Sequence, residues 1–356
     1  AVQVDIDAGS LDNSGGTISA TGTGQMALQV RGHLASDAGT LATNGAPHIQ
    51  AGTLSNVAGV LSSAGSSDTT IEISGRFDNT RGTVASNAGN LDLDAEHLLN
   101  ASGTISHGGD GGLAITAAQL DGNSGSITTA SALTLQAGRV DHRGASLNAD
   151  GFTITADAFN NEGGTLLATG TDASTLVVQQ TLNNGNGGTI AGNGDLGIRA
   201  SHLGNAAGTV QHAGTGVLTV SADTLDGQGG KLLSNGELAL SGQSINLRSG
   251  PTAAQRISIS ADTLDNSAGT LTASGSNVLM LEVRTRLENT GGSLAGNGML
   301  DLRSAHLINN QGSIQAAGAG SNTIAVGNAV ENVAGRILTT GSTTLTAASV
   351  DNRGGT

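Results

Sequence analysis

The chain repeats itself every 19 to 23 residues, and that period constrains its fold more than any other feature. The recurring phrase is an apolar residue, then Asp or Asn, Asn, two small residues, Gly, a small polar residue and another aliphatic. It reads LDNSGGTI from Leu11, FDNTRGTV from Phe77, LDNSAGTL from Leu264 and LENTGGSL from Leu287. With the first apolar residue as marker, seventeen repeats begin at Leu11, Leu34, Leu54, Phe77, Leu98, Leu120, Val140, Phe159, Leu182, Leu203, Leu225, Ile245, Leu264, Leu287, Leu307, Val330 and Val350. Gly stands five positions past the marker in 16 of 17 repeats and Asn two positions past it in 12 of 17, so the phrase is not an accident of a Gly-rich composition. Structural repeat positions are thereby assigned to Asn13 and Gly16, Asn79 and Gly82, Asn184 and Gly187, Asn266 and Gly269, and Asn289 and Gly292.

Midway through each repeat lies an alternating apolar stretch, for example Leu91 and Leu93, Leu133 and Leu135, or Leu300 and Leu302. Alternation with period two marks a strand with one buried face. A 20-residue unit of this kind cannot bury its apolar face alone, but stacked coils pair each strand with the next and build a continuous interior. The fixed Gly is expected to supply a positive-φ turn, and the Asn to tolerate the same geometry while its amide bonds along the stack. The expectation is an all-β parallel β-helix of about 17 coils, running through residues 1–356 as one continuous segment without an internal boundary. An irregular coil is expected near 248–256, where Pro251 interrupts the pattern and predicts a bulging loop. A longer period is also present, since the segments starting at Phe77, Leu182 and Leu287 align about five coils apart.

Composition narrows the function. With 57 Gly, 3 Phe and no Trp or Tyr, an ordinary globular core is out of reach, and the interior must be small aliphatics stacked coil on coil. The net charge of −14 and a single lysine, Lys231, exclude the clustered cations that nucleic acid demands. No apolar run approaches the ~18 residues of a membrane span, so no membrane insertion is expected. Cysteine is absent, which suits export without disulfide formation. The sequence begins and ends inside the repeat pattern and is read as a piece of a longer chain.

The phrases LDNSGGTI, LDNSAGTL and LENTGGSL, the last followed by AGNGMLDL, resemble the haemagglutinin repeats of filamentous haemagglutinin-like exoproteins over essentially the whole chain. The resemblance implies a right-handed parallel β-helix in a very large protein, secreted to the bacterial surface by an outer-membrane transporter of the two-partner secretion type. It further implies contact with receptors on host or neighbouring cells. The family includes adhesins and contact-dependent growth-inhibition toxins, and in both the repeats form a shaft. The expected role is a non-catalytic shaft presenting adhesive or toxin modules, with the stalk of a growth-inhibition toxin as one alternative and a carbohydrate-active β-helix enzyme as another.

Chemistry-bearing residues are few, and no cofactor is expected. The best pair for an active site or a Ca²⁺ site is Asp121 and Asp141, which occupy the same position in adjacent coils about 5 Å apart. Asp fills that position elsewhere too, at Asp12, Asp78, Asp226, Asp265 and Asp351, so a solvated corner is the plainer reading. His33, His97, His202 and His306 precede their markers, the last three at five-coil intervals, too far apart to share a metal, and His142 reads as a solvated corner residue. The stretch HGGDGGLAI from His107 holds half of a glycine-aspartate calcium motif, but a single copy reads as a Gly-rich turn.

Overall fold

The computed structural model describes residues 1–356. The chain is an all-β parallel β-solenoid of about 17 coils and divides into two compact units, Ala1–Gln179 and Gln180–Thr356. Each coil carries one long strand, one short strand and the turn between them. In the first unit the long strands include Met26–Ala35, Leu91–Leu99, Leu113–Asp121 and Ala132–Asp141, and the short ones include Thr83–Ser86 and Thr104–His107. Pairing is parallel and in register, with Leu91, Leu93 and Leu98 beside Leu113, Ile115 and Leu120 of the next coil. The second unit repeats the plan, with Leu279, Leu281 and Leu287 beside Leu300, Leu302 and Leu307.

The alternation in sequence is the alternation in burial. Leu91, Leu93 and Ala95 point inward while Asp92, Asp94 and Glu96 are exposed. Identical aliphatic positions stack through each unit, and all three phenylalanines, Phe77, Phe152 and Phe159, are fully buried in the first. Such stacking removes about 25 cal/mol for each Å² of apolar surface taken from water. Long strands bend at a bulge, visible as register shifts between Ala95 and His97 and between Val283 and Arg286.

The turn after each marker gives the repeated phrase its meaning, and it departs from the sequence reading. In Asn79–Gly82 the Gly82 N–H donates to Asn79 O at 3.0 Å, closing a four-residue turn. The residue at positive φ is the third of the four, Arg81 at 56°, and not the glycine. The same position has positive φ in every coil, and eleven times it is not glycine: Ala38, Ala58, Arg81, Ser102, Ser124, Asn186, Ala207, Ser249, Ala268, Gln311 and Ala334. The near-invariant glycine answers a different demand. A Cβ on Gly82 would lie 2.1 Å from Asn56 O of the preceding coil and 2.6 Å from Asn79 Oδ1, and on Gly292 2.2 Å from Asn266 O and 2.6 Å from Asn289 Oδ1. It is the close approach of coils that excludes a side chain there. In the turn from Leu182 one residue is inserted, so Gly187, at φ 85° with open space around it, is the extra residue, and Gly188 closes the turn by donating to Gly185 O.

The expected bulging loop near 248–256 is also corrected. Pro251 opens the short strand Pro251–Ala254, which pairs with Thr270–Ala273, and the coil from Ile245 to Leu264 is among the shortest in the chain. Proline fits because the first residue of a strand can forgo its N–H.

Candidate functional site

The residues that the sequence singles out fall into an interior ladder and an outer corner. The ladder is built from the Asn two positions past each marker. Its backbone is ordinary, without the positive φ expected of it, and its side chain points inward, with Asn56, Asn79, Asn100, Asn266, Asn289 and Asn309 fully buried. In the first unit Asn56 Nδ2 donates to Asn79 Oδ1 and Asn79 Nδ2 to Asn100 Oδ1, both at 2.7 Å. In the second unit Asn184 donates to Asn205, and an unbroken series runs Asn266 to Asn289, Asn309, Asn332 and Asn352 at 2.6–2.8 Å. Each amide also donates to a backbone oxygen of the next coil, as Asn79 Nδ2 does to Thr104 O at 3.2 Å. Asn13, at the first turn, donates to Ser36 Oγ and Thr40 O instead. Within each series the amide-to-amide bonds fix coil on coil in a single register, and Asn56 Oδ1, at the head of its series, is left without a partner.

The ladder is interrupted at Ser36 near its start, and over two successive coils at Gly122 and His142 in the first unit and at Gly227 and Leu247, 105 residues later, in the second. His142 is 2 % exposed and takes over the Asn role, its Nε2 lying 3.2 Å from Thr165 O of the following coil. It is therefore an interior residue and not a solvated corner. Burial pushes its pKa down to about 4, so the ring is neutral at neutral pH. At the second break Leu247 has no donor to offer, and the buried Asn266 Oδ1 beyond it is left without a partner.

Asp121 and Asp141 do sit opposite one another in paired long strands. The structure turns each toward its own partner. Asp141, 7 % exposed, accepts Arg143 Nε and a terminal guanidinium N–H at 2.8 and 2.7 Å, and this ion pair holds its carboxyl below the usual range. Asp121 accepts both bonds from Gln119 Nε2, at 3.1 and 3.0 Å, and lies 2.9 Å from His97 Nε2. Asp141 is thus a buried, paired group, while Asp121 stays partly exposed at the corner. The position serves the turn: Asp12, Asp78 and Asp265 each accept the N–H two residues on, from Ser14, Thr80 and Ser267 at 2.9–3.0 Å. No three His, Asp or Glu side chains converge in a way that would hold a metal.

The other histidines are dispersed. His33 and His202 pair with Thr53 and Thr224 of the next coil, and His306 with Asn328. His107 is buried, between Thr129 Oγ1 and Ala88 O, so the glycines after it form a tight inter-coil turn and Asp110 is left exposed alone.

Sequence reasoning missed the shallow groove along the outer face at the strand bulge. In the first unit it is lined by Asp7, Gln29, Gln50, Glu72, Asp94 and Glu96. In the second it is lined by Asp262, Glu282, Arg284 and Arg303 among serines, and Arg284 is tied to Asp262 and Arg303 to Asp301. Residues about 22 apart meet there, and only the coil register shows which polar outward positions are neighbours.

A parallel solenoid with a buried Asn ladder, tight glycine turns and no loop walls beside its grooves is a repeat scaffold. The family model described as haemagglutinin repeat matches in eight segments, 1–34, 27–81, 78–120, 110–171, 172–220, 213–291, 280–332 and 316–356, and the chain belongs to that family. Its β-solenoid is of the kind typical of two-partner secretion adhesins and contact-dependent growth-inhibition toxins. One relative, Toxin CdiA of Escherichia coli, is 32% identical over 189 residues, covering 51% of this chain and 6% of that protein. The chain thus spans a small fraction of the length of the relative it matches. No solved structure matches.

Proposed function

We propose that this chain is a non-catalytic stalk segment of a contact-dependent growth-inhibition toxin, holding a toxic module away from the producing cell. The observation that carries the reading is the 32% identity with Toxin CdiA over half of the chain, borne on a solenoid whose distinctive residues all serve coil stacking. The carboxylates best placed for chemistry, Asp121 and Asp141, are each committed to neighbouring side chains. In this reading an outer-membrane transporter exports the chain, and receptors on neighbouring bacteria are its targets.

Co-culture tests it. Cells making the full-length protein are mixed with siblings that lack any matching immunity factor, and viable counts of the siblings are followed. A contact-dependent fall in sibling counts is expected. Attachment to host cells with sibling counts unchanged would move the segment to a host adhesin. The enzyme alternative is addressed by incubating the purified chain with acidic and neutral polysaccharides, where any accumulation of cleaved product would overturn the non-catalytic reading.

A further inference from the structure

We infer that the coil carrying His142 is an acid-sensitive release point in the Ala1–Gln179 unit: protonating this buried imidazole detaches the Asp141–Ala145 turn from the coils that flank it.

The geometry assigns the ring its proton. Nε2 faces Thr165 O at 3.2 Å, and a carbonyl oxygen only accepts, so Nε2 carries the hydrogen and Nδ1 is the bare nitrogen. On the Nδ1 side lies Gly122 of the preceding coil, where an added Cβ would stand 3.9 Å from Nδ1. Asn fills that position in twelve coils and would bring an amide to the neighbour, whereas Gly122 brings nothing. A second proton therefore puts a charge on a ring that is 2 % exposed, with no side chain from the preceding coil to receive the new N–H.

The charged groups around the ring do not supply a receiver. Asp141 beside it favours the charged form, but both its oxygens accept from Arg143. Asp121 on the preceding coil is engaged by Gln119 and His97, and Arg143 carries positive charge. Glu162 lies on the following coil, past Phe159, whose ring centroid is 6.0 Å from that of His142. Burial outweighs Asp141 and sets the folded pKa at about 4, against an ordinary value of 6.5. Between those values the opened coil binds more protons than the closed one, so closure weakens as pH falls from 6.5 to 4 and is fully retained above 6.5. The difference corresponds to an opening equilibrium larger by on the order of 10²-fold at the acid end.

The stretch 237–265 of the second unit supplies an internal control, because that unit's own buried imidazole, His212, whose pKa burial also lowers, pairs with Ser234 outside it. Its ladder breaks at the equivalent position with Leu247, which cannot titrate. Amide exchange of the full chain, read by mass spectrometry at pH 7 and pH 4 and corrected for the intrinsic rates, should show protection over residues 132–160 falling by on the order of 10²-fold relative to residues 237–265. Equal loss in both stretches, or none in either, would overturn the inference. His142→Asn restores the commonest ladder residue and should hold protection at pH 4, and a variant that still opens as the wild type does would also overturn it. Should that variant fold poorly, Gly122→Asp places a carboxylate toward Nδ1 and should shrink the acid effect; an unchanged effect would again count against His142 as the trigger.

Discussion

The two double breaks in the ladder, each spanning two coils, are copies of one another, and they are filled differently. In the first unit the gap is Gly122 followed by His142, and in the second it is Gly227 followed by Leu247. His142 keeps a polar tie to the next coil through Thr165 O, whereas Leu247 exchanges that tie for apolar packing. The interior slot therefore accepts a polar or an apolar side chain of similar size, and what it fixes is volume and the partner above. The units differ on the outside as well. The first carries 17 Asp and Glu against 5 Arg, a net −12, while the second carries 11 against 9 basic residues, a net −2. Copies that share a backbone plan thus keep their interiors and let their surfaces drift, as expected where burial constrains one face only.

Substitutions can break this comparison at its strongest point first. Gly82→Ala and Gly292→Ala should cost about 3–5 kcal/mol each, because the new Cβ collides with a backbone carbonyl, while Gly291→Ala, with open space at φ 62°, should cost about 1 kcal/mol. Chemical denaturation of each variant reads the difference, and equal costs would contradict the close-approach explanation. Next, Asn289→Leu removes an amide that donates to Asn309 Oδ1, Gly292 O and Ser313 O, and should cost about 2–4 kcal/mol. The pH dependence follows: protonation of His142 is expected to remove about 3 kcal/mol of stability from the first unit as pH falls from 6.5 to 4, with no matching loss at Leu247. The smallest effect sharpens the comparison most. Leu247→Asn offers a donor to Asn266 Oδ1 and should be less damaging than Leu247→Ala by about 1 kcal/mol, although Asn is the more polar replacement.

The solenoid was legible because its signals are periodic. Leu at fixed intervals and alternation around Leu91 and Leu93 named the coil count and the strands, and the Asn column named the stack. The glycine column was read correctly as a position and wrongly as a mechanism. Positive φ falls one residue earlier, on Ala38, Arg81, Gln311 and others whose identities carry no signature, since the strain is met by the closed turn around them. Gly187 was misassigned because an insertion in one turn shifts the count by one where two glycines adjoin. Pro251 looked disruptive, yet a strand's first residue can spare its donor. At the corner, sequence placed Asp121 beside Asp141 but could not show that Arg143, Gln119 and His97 claim them, because rotamers decide which neighbour a carboxylate meets. His142 gave no hint of burial beyond its place in the Asn column, which was the signal to use.

The claim that buried Asn ladders fasten coil to coil is tested most directly by residue-resolved amide exchange of the intact chain at neutral pH. Slowest exchange is expected in the turns held by Asn56–Asn100 and Asn266–Asn332, with measurably faster exchange in the turns at Gly122–Ala145 and Gly227–Gly250. Uniform protection, or slowest exchange at the two breaks, would show that the ladder is not what ties one coil to the next.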